Sequence, residues 1–359
     1  MQGKRHSGEG CVHMRLKVSV AAVFAAVTFA SPLAVFLAGT PEGGGGSSSA
    51  GPQPGGAESS SPAPDGGQAT IKVYDSAQDK VMELAFSDYL RGALAAEMPP
   101  TFAPEALKAQ ATACATYALR LKQQAAESPN ESLKGADISV DSRLHQGYIS
   151  DADLQARWGQ NYDYYRSLIQ EAVDQSGNQI LTYEGAPIIS AYHSISPGKT
   201  EAAEDIWGQA VPYLVSVDSP GDLLAPDYET KETFTKDVVK ENLSQKWSDI
   251  ALGDDPATWF ADLATTPSGT VKTLTVGGKA LSGGDIRSAL NLRCAAFSVS
   301  YKDGTFTFDV KGYGHGVGMS QYGADYMARQ GSSAQDILAH YYPGTALEPL
   351  TSKVKVPSL

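Results

Sequence analysis

Hydrophobic and polar positions divide the chain into three stretches. Residues 18–38 are uncharged and mostly apolar, long enough to cross a bilayer hydrocarbon core, which takes roughly 20 residues as a helix. Arg15 and Lys17 precede this run and no Lys or Arg follows it closely. The positive-inside rule therefore predicts a cytoplasmic tail over residues 1–17, a transmembrane helix over 18–38 and an extracytoplasmic remainder. A cleaved signal peptide is the competing reading, but the apolar run is long for a signal segment, which favours an uncleaved anchor. Residues 39–69 are Gly, Ser, Pro and Ala with few apolar side chains. Such a composition cannot bury enough surface to fold and predicts a flexible stalk.

From residue 70 the pattern alternates between strand-like and helix-like periods. Residues 71–74 and 81–84 predict a hairpin. Ser87 is placed to cap a helix that runs to about Met98, where Pro99-Pro100 stops it. Pro104 suits the first turn of the next helix, in which Leu107, Ala111, Cys114, Ala118 and Leu121 form one apolar stripe. Residues 161–175 predict another amphipathic helix, in which Tyr162, Tyr164 and Tyr165 form either part of the core, the favoured reading, or a sugar-stacking face. Residues 179–183 and 187–193 flank Glu184-Gly185 as a hairpin, and residues 297–301 and 305–310 flank Asp303-Gly304 as a stronger one. Ser333 with Asp336 forms a capping pair for a last helix ending near Tyr341. Residues 221–265 are polar and mixed, and no element is assigned there. Strands and helices are interspersed without regular βαβ alternation, which predicts an α+β class: a single mixed globular domain over residues 70–350 behind the helix and stalk.

Composition narrows the partners. The 359 residues carry a formal net charge of −12. Lys4, Arg5, Arg15 and Lys17 lie before the apolar run against Glu9, so the remainder is at about −15. A domain of that charge is not expected to bind nucleic acid, which requires a basic surface. The three cysteines, Cys11, Cys114 and Cys294, form no Cys-x-x-Cys pair. Buried free thiols are the simple reading of Cys114 and Cys294, although a disulfide between them is open outside the cell.

Three segments carry candidate chemistry. Glu97 sits in Ala95-Ala96-Glu97-Met98-Pro99 at the end of a helix. The negative end of the helix dipole and apolar neighbours both raise a carboxyl pKa, as a general acid near neutral pH requires. The alternative is an ordinary solvated helix Glu. The second segment is the glycine-rich run from Gly312 to Gln321, which lets the backbone turn tightly and approach a ligand, with His315 on the turn. It lacks the Lys-Ser/Thr pair of a phosphate loop. The third runs from His193 to Glu201. Its hydroxyls suit a sugar-binding rim or a plain loop equally. Adjacent His193 and Ser194 would point to opposite faces of an extended segment, which argues against a serine hydrolase.

Together these segments resemble the stage II sporulation protein D family. The similarity is carried by Tyr89-Leu90-Arg91-Gly92-Ala93-Leu94-Ala95-Ala96-Glu97-Met98-Pro99 and by Pro104-Glu105-Ala106-Leu107-Lys108-Ala109-Gln110-Ala111. The segment from His193 to Glu201, with Trp207 and Pro212-Tyr213-Leu214, continues it. Gly314-His315-Gly316-Val317-Gly318-Met319-Ser320-Gln321-Tyr322-Gly323-Ala324 and His340-Tyr341-Tyr342-Pro343-Gly344 complete it. These blocks span about residues 70–345 in the family's order, and their joint occurrence is specific.

The resemblance implies a membrane-anchored lytic transglycosylase that cleaves peptidoglycan strands during engulfment in sporulation. Its substrate would be glycan already stripped of stem peptides by stage II sporulation protein P, with stage II sporulation protein M as a further partner. It implies Glu97 as catalytic acid/base. Lys108, His193, Ser194, Ser196, Thr200, His315, Ser320, Gln321 and Tyr322 are the expected substrate contacts, Lys108 either on the sugar acid or holding Glu97. No cofactor is expected. Two departures stand out. Family members often carry Arg seven residues after the helix Lys, where this chain has Ala115, so a basic contact is lost or supplied elsewhere, with Arg91 and Lys199 as candidates. Some relatives bind zinc just before a Gln-x-Tyr segment, where this chain keeps only His145. One ligand cannot make a tetrahedral site, so no metal is expected. The alternative reading is a non-catalytic glycan-binding adaptor that activates a peptidoglycan amidase, with a metal-dependent hydrolase a distant third.

Overall fold

The computed structural model describes residues 69–350 apart from Gly177. The predicted tail, transmembrane helix and nearly all of the stalk lie outside the described residues. Among the described residues, no helix is long and apolar enough to cross a membrane.

The first hairpin forms in the expected place. Strand β1 (Thr70–Asp75) pairs antiparallel with β2 (Lys80–Ala85), from Thr70 opposite Ala85 to Asp75 opposite Lys80. Helix α1 (Phe86–Glu97) follows β2 without a break. Its N-cap is Ala85, with no side-chain cap, so Ser87 lies inside the first turn and does not cap it. The Phe86 N–H instead donates to the Ala69 carbonyl at 2.8 Å. A contact between the helix start and the strand before it replaces the local cap. At the other end Met98 is extended, with φ −131° and ψ 139°, the conformation that a following proline enforces.

Helix α2 (Pro104–Glu127) begins on Pro104 as expected. The apolar stripe is too narrow a description of it, because residues 109–116 are buried all round. Ala, Thr and Cys are small enough for α1 and six later elements to approach α2 from every side. Strand β3 (Ile138–Ser139) adds to β1 in parallel. Helices α3 (Asp151–Trp158) and α4 (Tyr162–Gln175) follow. Tyr164 is 63 % exposed and does not join the core to which the tyrosine trio was assigned. Strand β4 (Gln179–Tyr183) and β5 (Ala186–Pro187) form the hairpin at Glu184-Gly185. The second strand stops early. Strand β6 (Tyr192–His193) leaves to pair in parallel with residues 319–320, and helix α5 (Ala203–Trp207) follows.

The unassigned stretch opens a second body. Strand β7 (Glu229–Thr235) leads into α6 (Lys236–Lys246), capped by Thr235. Next come β8 (Phe260–Thr265), β9 (Val271–Val276), β10 (Lys279–Leu281) and α7 (Gly283–Leu290), which carries a Ser282/Asp285 capping box. The hairpin of β11 (Phe297–Lys302) and β12 (Thr305–Lys311) forms as predicted. The sheets run β10-β9-β8 and β11-β12-β7. The chain then crosses back through β13 (Met319–Ser320), α8 (Gln321–Arg329), the Ser333-capped α9 (Ala334–Tyr341) and β14 (Ala346–Pro349), which pairs with β4.

The mixed α and β class stands. Within it the buried apolar side chains form two clusters. One gathers around α1, α2 and α4 and includes Leu94, Leu107, Ile169, Val317 and Tyr342. The other is aromatic-rich, with Trp259, Phe297, Phe306 and Phe308 between β-strands, α6 and α7. Cys114 belongs to the first cluster and Cys294 to the second, and both are buried free thiols.

Candidate active site

Glu97 is the last residue of α1 and is 3 % exposed. A strap of residues 146–149 lies across the helix and encloses it. The strap fits because Gly92 has no side chain: a Cβ there would meet Tyr148 Cε2 at 2.4 Å. Tyr148 stacks on Tyr89, with ring centroids 5.7 Å apart, and the Ile149 N–H donates to the Gly92 carbonyl at 3.2 Å. The strap thereby delivers the Gly147 N–H to Glu97 Oε1 at 2.6 Å. Gly147 is itself needed for this approach, since a Cβ would come within 3.1 Å of both Ala96 Cβ and Glu97 Oε1.

Burial pushes the Glu97 carboxyl up to about 7, against the Gly147 N–H and the Tyr192 hydroxyl, which favour its ionised form. Desolvation is thus the dominant cause. Beneath the carboxyl lies a buried polar network. The Tyr192 hydroxyl donates to Gln146 Oε1 at 3.1 Å, and Gln146 Nε2 donates to the Tyr89 hydroxyl at 2.8 Å and the Cys114 carbonyl at 3.3 Å. Gln146, Gly147 and Tyr192 were missed as functional residues. The sequence signal for Gln146 and Gly147 is the Gln-x-Tyr segment; Tyr192 carries none. His145 in that segment accepts the Ser139 N–H at Nδ1, at 3.0 Å. Among the described residues no group of three or more His, Cys, Asp or Glu is arranged to hold a metal ion.

The expected substrate contacts separate by what they touch. Lys108 pairs with Glu105, whose other oxygen accepts the Ala334 N–H at 2.8 Å. Glu105 therefore ties α2 to the start of α9, and Lys108 pairs with it and does not hold Glu97. Gln321 Nε2 donates to the Glu97 carbonyl at 3.0 Å, tying the end of α1 to the start of α8. Ser196, Thr200 and Ser320 are fully buried. Ser196 donates to Asp222 through both its backbone N–H, at 2.9 Å, and its hydroxyl. Ser320 donates to the other Asp222 oxygen at 2.6 Å and caps α8 through the Gly323 N–H. Thr200 Oγ1 accepts the Val217 N–H at 2.9 Å. The Ser194 carbonyl accepts the Ser320 hydroxyl at 3.2 Å and the Tyr322 N–H at 3.1 Å. These hydroxyls knit loops together and do not form an open rim. Asp222, at the centre of this knot, had no sequence signal.

Of the three other expected contacts, Tyr322 and His315 are partly exposed and His193 is buried. Tyr322 is half-buried and packs edge-on against Phe102 at 5.0 Å. His193 Nδ1 lies 3.2 Å from the Val317 carbonyl, and burial holds the ring neutral by lowering its pKa to about 4. The His315 ring lies 5.8 Å from His193 and 5.9 Å from Trp207, and it lines a cleft where the two cores meet. Both candidate replacement cations have carboxylate partners. Arg91 bonds to Asp88, Asp151 and Gln170, and Lys199 pairs with Asp218 at 3.2 Å. Ala115 is 2 % exposed within the first core, a position without room for an arginine.

Comparison with known proteins agrees with the motifs. The family described as SpoIID, stage II sporulation protein, matches residues 74–183, which include α1, α2 and the strap. The chain is 40% identical to stage II sporulation protein D of Bacillus subtilis (strain 168) over 278 residues, covering 77% of this chain and 78% of that one. It is 40% identical to stage II sporulation protein D of Bacillus amyloliquefaciens over 283 residues, 79% of this chain and 80% of that one. It is also similar to the amidase enhancer of Bacillus subtilis (strain 168), 26% identical over 308 residues, 72% of this chain and 40% of that one.

Proposed function

Since this chain belongs to the stage II sporulation protein D family, we propose that it is a membrane-anchored lytic transglycosylase acting on denuded peptidoglycan strands during engulfment. The carrying observation is a single buried carboxyl, Glu97, with its pKa raised to about 7. About half of such groups hold a proton at neutral pH, so one residue can serve as acid and then as base. No neighbouring carboxylate figures among the causes of its shift, which suits a mechanism that does without the usual carboxylate pair.

In this mechanism Glu97 gives its proton to the oxygen between N-acetylmuramic acid and N-acetylglucosamine, and the anomeric carbon–oxygen bond breaks. The muramic 6-hydroxyl oxygen bonds to the anomeric carbon, and its proton returns to Glu97. The ring closes as an anhydro sugar, no water is consumed and the enzyme ends in its starting protonation state. The Gly147 N–H and the Tyr192 hydroxyl steady the carboxylate while its proton is away. The anchor at residues 18–38 would hold the domain outside the cell membrane, on the engulfing side. Stage II sporulation protein P would supply peptide-free strands, and stage II sporulation protein M would be a membrane partner.

The test is mass analysis of the products from purified peptide-free glycan. The native chain is expected to release anhydro-ended sugars and Glu97→Gln to release none above background. Equal release by both would end the assignment to Glu97. A second reading, a non-catalytic glycan-binding adaptor that activates an amidase, draws support from the enclosure of Glu97 and from the similarity to an amidase enhancer. It predicts no anhydro ends from either protein and faster peptide removal when a wall amidase is added.

A further inference from the structure

A second site lies where the two cores meet. The cleft has a volume of about 90 Å³ and is lined by Asp205, Lys272, Arg287, Cys294, Gly314 and His315 among others. One wall is the glycine turn of the first body and the other is β9 and α7 of the second. Gly314 has φ +118° and packs so closely on β6 that a Cβ there would meet His193 Cβ at 2.7 Å, and its N–H donates to the Arg293 carbonyl of the second body at 3.0 Å. The cleft is part-open to solvent and has room for a small polar group.

The charges in the cleft are uneven. Lys272 is already paired with Asp205 at 2.7 Å. Arg287 has no carboxylate partner among the described residues. Its one side-chain hydrogen bond there runs from Nε to the Leu292 carbonyl at 3.3 Å, which fixes the base of the guanidinium and leaves the terminal nitrogens for another acceptor. Burial lowers the Arg287 pKa, so its charge stands partly desolvated and without compensation. Half-buried charges are ordinarily paired. The neighbouring imidazoles add no second cation, since burial keeps both His193 and His315 neutral. A planar guanidinium with free terminal N–H groups matches a carboxylate in two-pronged fashion.

We propose that this cleft is a carboxylate-binding subsite in which Arg287 takes the lactyl carboxylate of a muramic acid whose peptide has been removed. This rests on the glycan reading of the preceding subsection and adds the feature by which a denuded strand is told from a peptide-bearing one. In the peptide-bearing strand the lactyl carboxyl is tied up in an amide and carries no charge. In the denuded strand it is a free anion, and Trp207 beside His315 offers a flat apolar face next to it.

The test uses the full chain carrying Glu97→Gln, so that binding is read without cleavage. Affinity is measured for denuded strands and for the same strands with their lactyl carboxylates converted to methylamides. The protein is expected to prefer the free acid about tenfold. Adding Arg287→Gln should bring the two affinities within twofold by weakening only the free-acid strand, and Arg287→Lys should keep part of the preference. A preference that survives Arg287→Gln overturns the proposal. So does an equal weakening toward both strands by Arg287→Gln and Arg287→Lys alike, which marks the arginine as structural. Failure of the Arg287-bearing protein to bind either strand overturns the glycan reading itself, and is distinct from both.

Discussion

Glu97 and Asp222 are both carboxyls enclosed by the first body of the protein, and burial raises the pKa of each. They differ in their donors. Asp222 accepts the Ser196 N–H and the hydroxyls of Ser196 and Ser320. Both of its oxygens are engaged, and three loops depend on it. Glu97 receives one backbone N–H and the reach of one tyrosine hydroxyl. A carboxylate saturated with donors is spent on structure, because moving its proton would disturb every bond around it. A carboxyl enclosed with few donors keeps a proton near neutral pH and can exchange it. Burial alone therefore does not mark a catalytic acid; burial with sparse donors does.

The largest effects should separate these two roles. Glu97→Gln is expected to lower glycan cleavage by about 1000-fold, at the middle of the range for removal of a general acid, with the urea midpoint at pH 7 no lower than native. Asp222→Ala should do the reverse in kind. It leaves three buried donors without an acceptor and should cost about 4 kcal/mol of stability, read by urea denaturation. If Asp222→Ala kept native stability and lost cleavage, the contrast between the two carboxyls would collapse.

A smaller effect carries a definite sign. The folded value for Glu97, about 7, lies above the 4.5 of an ordinary Glu. Between those values the folded chain holds a proton that the unfolded chain has released. The stability that Glu97 contributes is thus fully present below about pH 4.5 and is lost as pH rises through 7. Glu97→Gln, which cannot ionise, should be more stable than the native chain at pH 8 by about 3 kcal/mol, and the gain should vanish by pH 4.5. Thermal midpoints of the two proteins across that range provide the measurement. A gain independent of pH would mean that Glu97 does not titrate in this window.

The same proton sets the rate profile. Turnover at saturating glycan should fall about tenfold per pH unit above 7 as the acid form is lost. Gly147→Ala should move that limb upward. Its Cβ would press on Glu97 Oε1 and displace the N–H that favours the ionised form. The crowding should also cost about 1 kcal/mol of stability. An unmoved limb would show that Gly147 does not tune Glu97.

Much of the local structure was legible because its causes are local. Asp303-Gly304 turns the β11–β12 hairpin through two residues at positive φ, 49° and 83°. Ser333 and Asp336 bond reciprocally three residues apart, and Pro104 starts α2 with its ring. Strand β7 was illegible for the opposite reason. Its sequence, Glu-Thr-Lys-Glu-Thr-Phe-Thr, is almost wholly polar, and it is a strand because β12, about seventy residues later, pairs with it. Ser87 misled because a strand-to-helix contact made a side-chain cap unnecessary. The hydroxyls from Ser194 to Thr200 were read as a rim because sequence does not distinguish a hydroxyl facing a ligand from one facing a buried Asp222.

By itself the sequence determined the family, the two strongest hairpins, the helix that ends at Pro99 and the place of Glu97 on its last turn. These follow from neighbours within a few residues and from motifs in order. Only the tertiary structure decided that Glu97 holds its proton near neutral pH. That property comes from desolvation, and desolvation here is the work of a strap fifty residues away, admitted by the missing side chains of Gly92 and Gly147. That Arg287 has no carboxylate partner among the described residues is likewise a tertiary fact, because a cation lacks a counter-charge only in relation to what packs around it.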